Sequence, residues 1–262
     1  LTTIAPLLEE GETAEQFWRS TCNFSAKEIN LEETYVRQAF QKLKRQPLPI
    51  EPMQMAIRFK NQEELQLMEK TFRKGPIQAQ VELDHVLFHI DPTDRMITLL
   101  LGSQPAGEAT VNYIKKFAAL VKEKPKPKTH LFVFAADHLE GEDTLFRKVT
   151  EIANQIAEYP ENLTIIPFSF QTEDVIAPLF FRSNITCTRS GGQTAMELMS
   201  VSNGEIWLHS EAKKGKDILA GMPGWEAASA VYLQKMRGAK IVTPETARFG
   251  IDLESIHPNQ PL

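Results

Sequence analysis

The sequence predicts an α/β protein: a Rossmann-like, mostly parallel sheet with helices on both faces, preceded by an N-terminal helical segment. Three observations predict it. Beyond residue 75, short apolar runs that read as buried strands alternate with amphipathic stretches of 10 to 17 residues, the pattern of strands joined by helical crossovers. Residues 1–75 are instead rich in Glu, Gln, Lys and Arg at helical spacing. Glycine-rich turns sit where several of the apolar runs end and a helix begins.

In the first segment, "AEQFWRSTCNF", "EETYVRQAFQKLKRQ" and "NQEELQLMEKTFRKG" have helical spacing, interrupted by the extended "PLPIEP" at 47–52. Tyr35, Val36, Ala39, Phe40 and Leu43 recur every three or four residues and form one apolar stripe. After Gly75-Pro76, "MITLLL" (96–101) predicts a strand, 107–123 a helix, "HLFVFAA" (130–136) a strand and 144–159 a helix. "NLTIIPF" (162–168) is the next strand, and a helix over 172–183 opens at a Thr-Glu-Asp cap. "NITCT" (184–188) is a short strand before a helix from about Thr194; "EIWLHS" (205–210), a helix over 225–238 and "AKIVTP" (239–244) close the series. The expected division is 1–75, a helical appendage or remnant of an N-terminal region, and 76–262, a Rossmann-like domain.

Composition bounds the function. With 42% hydrophobic and 24% charged residues, the 262-residue chain has the make-up of a soluble globular protein. Two cysteines, Cys22 and Cys187, form neither a disulfide framework nor a zinc-type spacing, so a cytoplasmic setting is expected. No apolar run approaches the roughly 20 residues of a membrane span. A net charge of −5 argues against nucleic-acid binding, and "KEKPKPK" (122–128) reads as a solvated loop. The first residue is Leu1 rather than Met, so a piece of a longer protein is expected.

In parallel sheets, ligands bind outside the carboxyl ends of the strands, which directs attention to three loops. "LGSQPAGEAT" (101–110) has glycines at Walker-A spacing, but Glu108 and Ala109 stand where that motif needs Lys and Ser/Thr, and no G-x-G-x-x-G is present. In "TRSGGQTAMELM" (188–199), Thr194 to Glu197 fit a capping box. A capping box does not require Arg189, Ser190, Gly191 and Gly192 before it. Bare amides at the positive end of a helix suit a diphosphate, and a carboxylate one turn in can accept two hydrogen bonds from a ribose diol. In "GMPGWEAASAVYL" (221–233), Trp225 and Glu226 either pack on the helix and favour its dipole or contact a sugar ring and its hydroxyls.

The remaining candidates carry less. His209, Lys213, Lys214 and Lys216 in "HSEAKKGKD" read as a solvated loop or as cations near a leaving group. His85 and His89 lack a third ligand, so no metal site is expected. "RSGGQ" lacks the frame of a nucleophile elbow.

These segments together resemble the donor-binding C-terminal domain of GT-B glycosyltransferases, most closely the MurG-like group that also holds plant galactolipid synthases. The resemblance covers about 170 residues: "LLLGSQPAGEATVNYI" matches the family's first glycine-serine-glutamine loop, "IIPFSFQTEDVIAPLFFRSNITCTRSGGQTAMELM" its base segment and "RSG..T..E" motif, and "PGWEAASAVYLQKMRGAKIVTPE" its sugar loop, helix and last strand. It implies a nucleobase against the backbone of Phe168 and Ser169. It implies a diphosphate held by Ser103, Gln104, Arg189, Ser190, Gly191, Gly192, Gln193 and Thr194, ribose hydroxyls on Glu197, and the sugar beside Trp225 and Glu226. The family often has paired Gln, or Asp-Gln, where "GWE" stands, so the sugar is left open.

The function expected is that of a glycosyltransferase, or its donor-binding fragment, taking a UDP- or GDP-sugar without a metal cofactor. Residues 1–75 are too short and too helical for the acceptor domain of such an enzyme, so acceptor domain and catalytic base are expected outside this chain. The alternative is a non-catalytic GT-B-like interaction module of a larger bacterial effector-type protein, with a host cytosol as its setting. A nucleotide-sugar epimerase would need acid and base carboxylates on both sides of the cleft, which the sequence does not offer.

Overall fold

The computed structural model describes residues 13–21, 23, 25–27, 36–101, 106–124, 126–136 and 144–249. The first elements are α1 (Ala14–Thr21), α2 (Gln38–Leu43), β1 (Met53–Arg58) and α3 (Gln62–Phe72). Reciprocal bonds between Thr13 and Gln16, at 2.7 and 3.2 Å, form a capping box that starts α1. The Asn61 side chain accepts from the Glu64 amide at 2.9 Å to start α3. β2 (Gln78–Val81) and β3 (His85–Ile90) follow. Strand β3 alternates in burial, with Val86, Phe88 and Ile90 inward, and stands between β1 and β2 in an antiparallel sheet ordered β1-β3-β2.

This small sheet adds a strand to the segment 1–75, which was expected to be helical apart from the extended stretch at 47–52. The helical reading holds at α1, α2 and α3, but Met53–Arg58 is a strand whose partner lies beyond residue 75. Gly75 is also packed rather than free: a Cβ there would lie 2.3 Å from the Leu163 carbonyl oxygen and 2.6 Å from Thr164 Cα. Phe88 meets Phe72 edge-on at 5.2 Å and Phe132 at 5.9 Å, which joins the small sheet, α3 and the main sheet in one core.

The main sheet contains β4 (Arg95–Leu100), β5 (Thr129–Phe134), β6 (Leu163–Phe168), β7 (Ile185–Thr188), β8 (Glu205–His209) and β9 (Lys240–Val242). All neighbours pair parallel, in the order β6-β5-β4-β7-β8-β9. The helices between and after them are α4 (Gly107–Glu123), α5 (Thr144–Gln155), α6 (Glu173–Arg182), α7 (Gly192–Val201) and α8 (Gly224–Arg237). Winding runs outward in both directions from β4 and β7. Right-handed crossovers therefore place α4 and α5 on one face and α7 and α8 on the other. The expected Rossmann-like architecture is observed, and the strand order reverses between β4 and β7, the place where such sheets open a crevice at their carboxyl edge.

The opposite edge is locked by buried polar groups. His130 sits 2.9 Å from an Asp94 carboxylate oxygen and 3.2 Å from the Thr164 hydroxyl. Arg182 donates to the Asp91 and Asp94 carbonyls at 2.8 and 2.9 Å, which fixes the β3–β4 turn against the end of α6. Burial lowers the Arg182 pKa, and the nearby Asp94 charge opposes that.

Candidate functional site

Strand β7 ends at Thr188 beside the switch point, and Arg189, Ser190 and Gly191 carry the chain into α7. Gly191 is the N-cap, and its carbonyl accepts the first helical bond from the Ala195 amide at 2.8 Å. No side chain caps this end, so the amides of Gly192, Gln193 and Thr194 begin the helix as orphan donors. The expected Thr194–Glu197 capping box does not form. The helix starts two residues before Thr194, and the Glu197 carboxylate bonds elsewhere. At Gly191 neither φ, at −56°, nor packing requires glycine, since an added Cβ would meet nothing within 4 Å. Among the described residues, the space at the Gly191 Cβ position is open.

Glu197 is buried, its side chain 2% exposed. Arg37, just before α2, grips it with two prongs: Nε donates to one carboxylate oxygen at 2.6 Å and Nη2 to the other at 3.0 Å. Gln193, one turn earlier on α7, adds a bond of 2.9 Å. The bond to Glu197 raises the Arg37 pKa; partial burial opposes this, and the charges of Glu197 and Glu173 reinforce it. Arg37 is placed by its neighbours. Phe40, fully buried, meets Phe180 edge-on at 5.9 Å and seats α2 against α6 and α7, while the Arg37 guanidinium lies 5.1 Å from the Phe40 ring centre.

A second helix start adjoins the first. Helix α8 is preceded by Pro223, has no side-chain cap, and has open space at Gly224. The Arg189 Nε donates to Glu226 at 3.1 Å, and the Ser190 hydroxyl donates to the Glu226 carbonyl at 2.7 Å. These bonds tie the β7–α7 loop to the first turn of α8. Trp225, next to that junction, is 72% exposed.

The structure thus brings together Arg189, Ser190, Gly191, Gly192, Gln193, Thr194, Glu197, Trp225 and Glu226. Phe168 and Ser169 stand apart, at the end of the sheet-edge strand β6. The Phe168 carbonyl accepts from the Ala135 amide at 2.8 Å, and Ser169 is buried, its hydroxyl unpartnered among the described residues. Ser103 and Gln104 lie outside the described residues. In the loop after β8, Lys213, Lys214 and Lys216 are exposed, but His209 is buried between the Tyr113 hydroxyl at 3.1 Å and Glu211 at 2.9 Å. It is a packing residue at the end of β8 rather than part of the solvated loop.

No protein-family model matches the chain, and no curated protein matches its sequence. Among solved structures, it is similar to an alpha,alpha-trehalose-phosphate synthase (UDP-forming) from Burkholderia xenovorans in complex with glucose-6-phosphate. That likeness has 16% identity and a TM-score of 0.40, over 58% of this chain and 33% of that one. It is also similar to a trehalose-6-phosphate synthase, OtsA, at 14% identity and a TM-score of 0.39, over 58% of this chain and 33% of that one. The chain spans about a third of the length of these structures. The functional reading rests on the residues of the site.

Two functional candidates escape sequence reading. Arg37 reaches the site from outside the main sheet, and only the apolar stripe holding Val36 and Phe40 hinted that its segment docks. Phe170, 56% exposed and edge-on to Phe134 at 5.2 Å, offers a ring beside the β6 loop. Among the described residues, no three His, Cys, Asp or Glu side chains gather in a metal-binding group, and no helix is long and apolar enough to cross a membrane.

Proposed function

We propose that this chain is the donor-binding half of a glycosyltransferase and binds a UDP- or GDP-sugar, with its diphosphate at the α7 N-terminus. The observation that carries the reading is the uncapped start of α7 at the switch point, where, among the described residues, Gly191 is needed neither for backbone conformation nor for packing. A ligand pressed against those amides gives the glycine a physical reason. In this reading the backbone of Ser190 to Thr194 holds the diphosphate, since the Ser190 hydroxyl is already committed to Glu226. Arg189 lends its charge, and Ser103 and Gln104, outside the described residues, are assigned to the same diphosphate. Glu197 accepts the ribose hydroxyls, the nucleobase lies along Phe168 and Ser169, and the sugar contacts Trp225 and Glu226.

The chemistry expected is stabilisation of the leaving diphosphate by helix-end amides as the glycosidic bond breaks. Acceptor and catalytic base come from a domain outside this chain, and binding here serves to orient the donor. No metal is assigned a part. The test is a thermal-shift screen of UDP- and GDP-sugars followed by calorimetric titration, because a ligand that binds only the folded state raises its melting temperature. A stabilising donor whose affinity falls about tenfold or more in Glu197→Ala supports the reading, a tenfold loss being about 1.4 kcal/mol. Unchanged affinity in that variant sinks it.

One observation favours a second reading, a non-catalytic interaction module. Both carboxylates assigned to ribose and sugar are held by arginines of the chain itself, Glu197 by Arg37 and Glu226 by Arg189. Failure of every nucleotide sugar to stabilise the chain supports that reading.

A further inference from the structure

We infer that Arg37 is a built-in competitor for the ribose position, a latch that closes the nucleotide site until its guanidinium leaves Glu197. The inference rests on the donor-site reading above and adds its regulation. An ionised carboxylate offers about four acceptor positions, and a vicinal diol fills two of them. Here Arg37 fills one on each oxygen, at 2.6 and 3.0 Å, and Gln193 fills another at 2.9 Å, which leaves too few for the diol. With the Glu197 side chain only 2% exposed, a ribose cannot reach it while the guanidinium is in place.

The latch is built to move. Its anchor and its head are separate parts: Phe40 is fully buried between α6 and α7, whereas the Arg37 side chain is 39% exposed. The head can rotate into solvent, where water replaces its hydrogen bonds, without unseating α2. Glu173 stands 3.8 Å from Arg37 Nε and holds the head over the site from the α6 side. Arg37 also belongs to a segment that precedes the small sheet, so anything that pulls on or binds that segment acts on the site. The device couples the N-terminal region to donor binding through one side chain.

The experiment titrates uridine, guanosine and their diphosphates into the full chain, as wild type, Arg37→Gln, Arg37→Lys, Glu197→Gln and the Arg37→Gln/Glu197→Gln double variant. The uncharged nucleosides are included because removing a guanidinium also removes a positive charge near the diphosphate. If the latch is closed in nine of ten molecules, its removal tightens nucleoside binding about tenfold. Arg37→Gln is expected to do so. Arg37→Lys, which keeps the charge without the two-pronged grip, is expected to fall between, and it carries the test should Arg37→Gln not fold. Glu197→Gln is expected to lose binding in both backgrounds. If Arg37→Gln binds nucleosides no tighter than wild type while Glu197→Gln still abolishes binding, the latch is overturned and the donor site stands. If Glu197→Gln binds as well as its parent in either background, or if no variant binds any of the four probes, the donor-site reading fails and the latch fails with it.

Discussion

Arg37 and Glu197, 160 residues apart in the chain, are joined by two charge-assisted hydrogen bonds of 2.6 and 3.0 Å beside the point where the strand order reverses. One partner is buried and the other is half in water, so their coupling lies between that of a surface pair and that of an enclosed one.

That intermediate position gives a stability prediction. Arg37→Ala leaves a buried carboxylate without its main donors and is expected to lower unfolding stability by about 1.5–3 kcal/mol, the range for hydrogen bonds to charged groups. Because the two losses share one interaction, the Arg37→Ala/Glu197→Gln double variant should lose less than the sum of the singles. Urea titrations of the four proteins measure this. Strict additivity would show that the pair contributes nothing to folding.

The glycines divide into two kinds that respond in opposite ways. A Cβ at Gly75, Gly204 or Gly221 would fall 2.0 to 2.3 Å from backbone atoms of other segments. Alanine at any of the three should destabilise by about 1–3 kcal/mol or more. Gly191→Ala meets open space in an ordinary conformation and should leave stability within about 0.5 kcal/mol. It should nevertheless abolish the thermal shift given by a stabilising nucleotide sugar. Retention of that shift would show that the diphosphate does not lie against Gly191.

Acid sensitivity is expected at the other end of the sheet. Burial alone would raise the Asp94 pKa, but the hydrogen bond and charge of His130 and the Asp91 amide outweigh it and hold the carboxyl below its ordinary value. A carboxylate depressed in the folded state contributes stability that is present above its unfolded pKa of about 3.9 and is lost as pH falls through the lower folded value. Denaturant unfolding followed from pH 5 downward should show that loss in the wild type. In Asp94→Asn the slope should be shallower, by up to about one proton.

Trp225 supplies an optical test of the sugar position. The chain has three tryptophans; Trp207 is fully buried, whereas Trp225 is 72% exposed at the start of α8. Adding a bound nucleotide sugar should change tryptophan emission, and Trp225→Phe should remove the change. A response that survives in Trp225→Phe places the sugar elsewhere.

Most of the main sheet was legible because its signals are local. The run from Met96 to Leu101 is apolar except for Thr98, and the expected helix over 107–123 is the observed α4. Strand β1 was not legible, since "MQMAIR" follows a proline-rich stretch and owes its extended form to pairing with β3, about thirty residues later. The α7 start was half legible. The glycines marked the turn, but the capping-box pattern placed the helix start two residues late, because Gly191 offers its carbonyl first. Arg37 was invisible as a site residue: its position depends on Phe40 burying itself between two helices encoded more than a hundred residues downstream.

The small sheet decides how the chain can be cut. Strand β3 is flanked by β1 on one side and β2 on the other, and β1 lies on the N-terminal side of Gly75. A piece beginning at residue 76 would keep β2 and β3 but leave the backbone of His85–Ile90 bare along the edge that β1 covers. It would also lose Phe72 from the ring of Phe88. A bare edge beside uncovered aromatic surface invites strand addition between copies. The boundary that composition marks most clearly is therefore where trimming would create a self-associating edge.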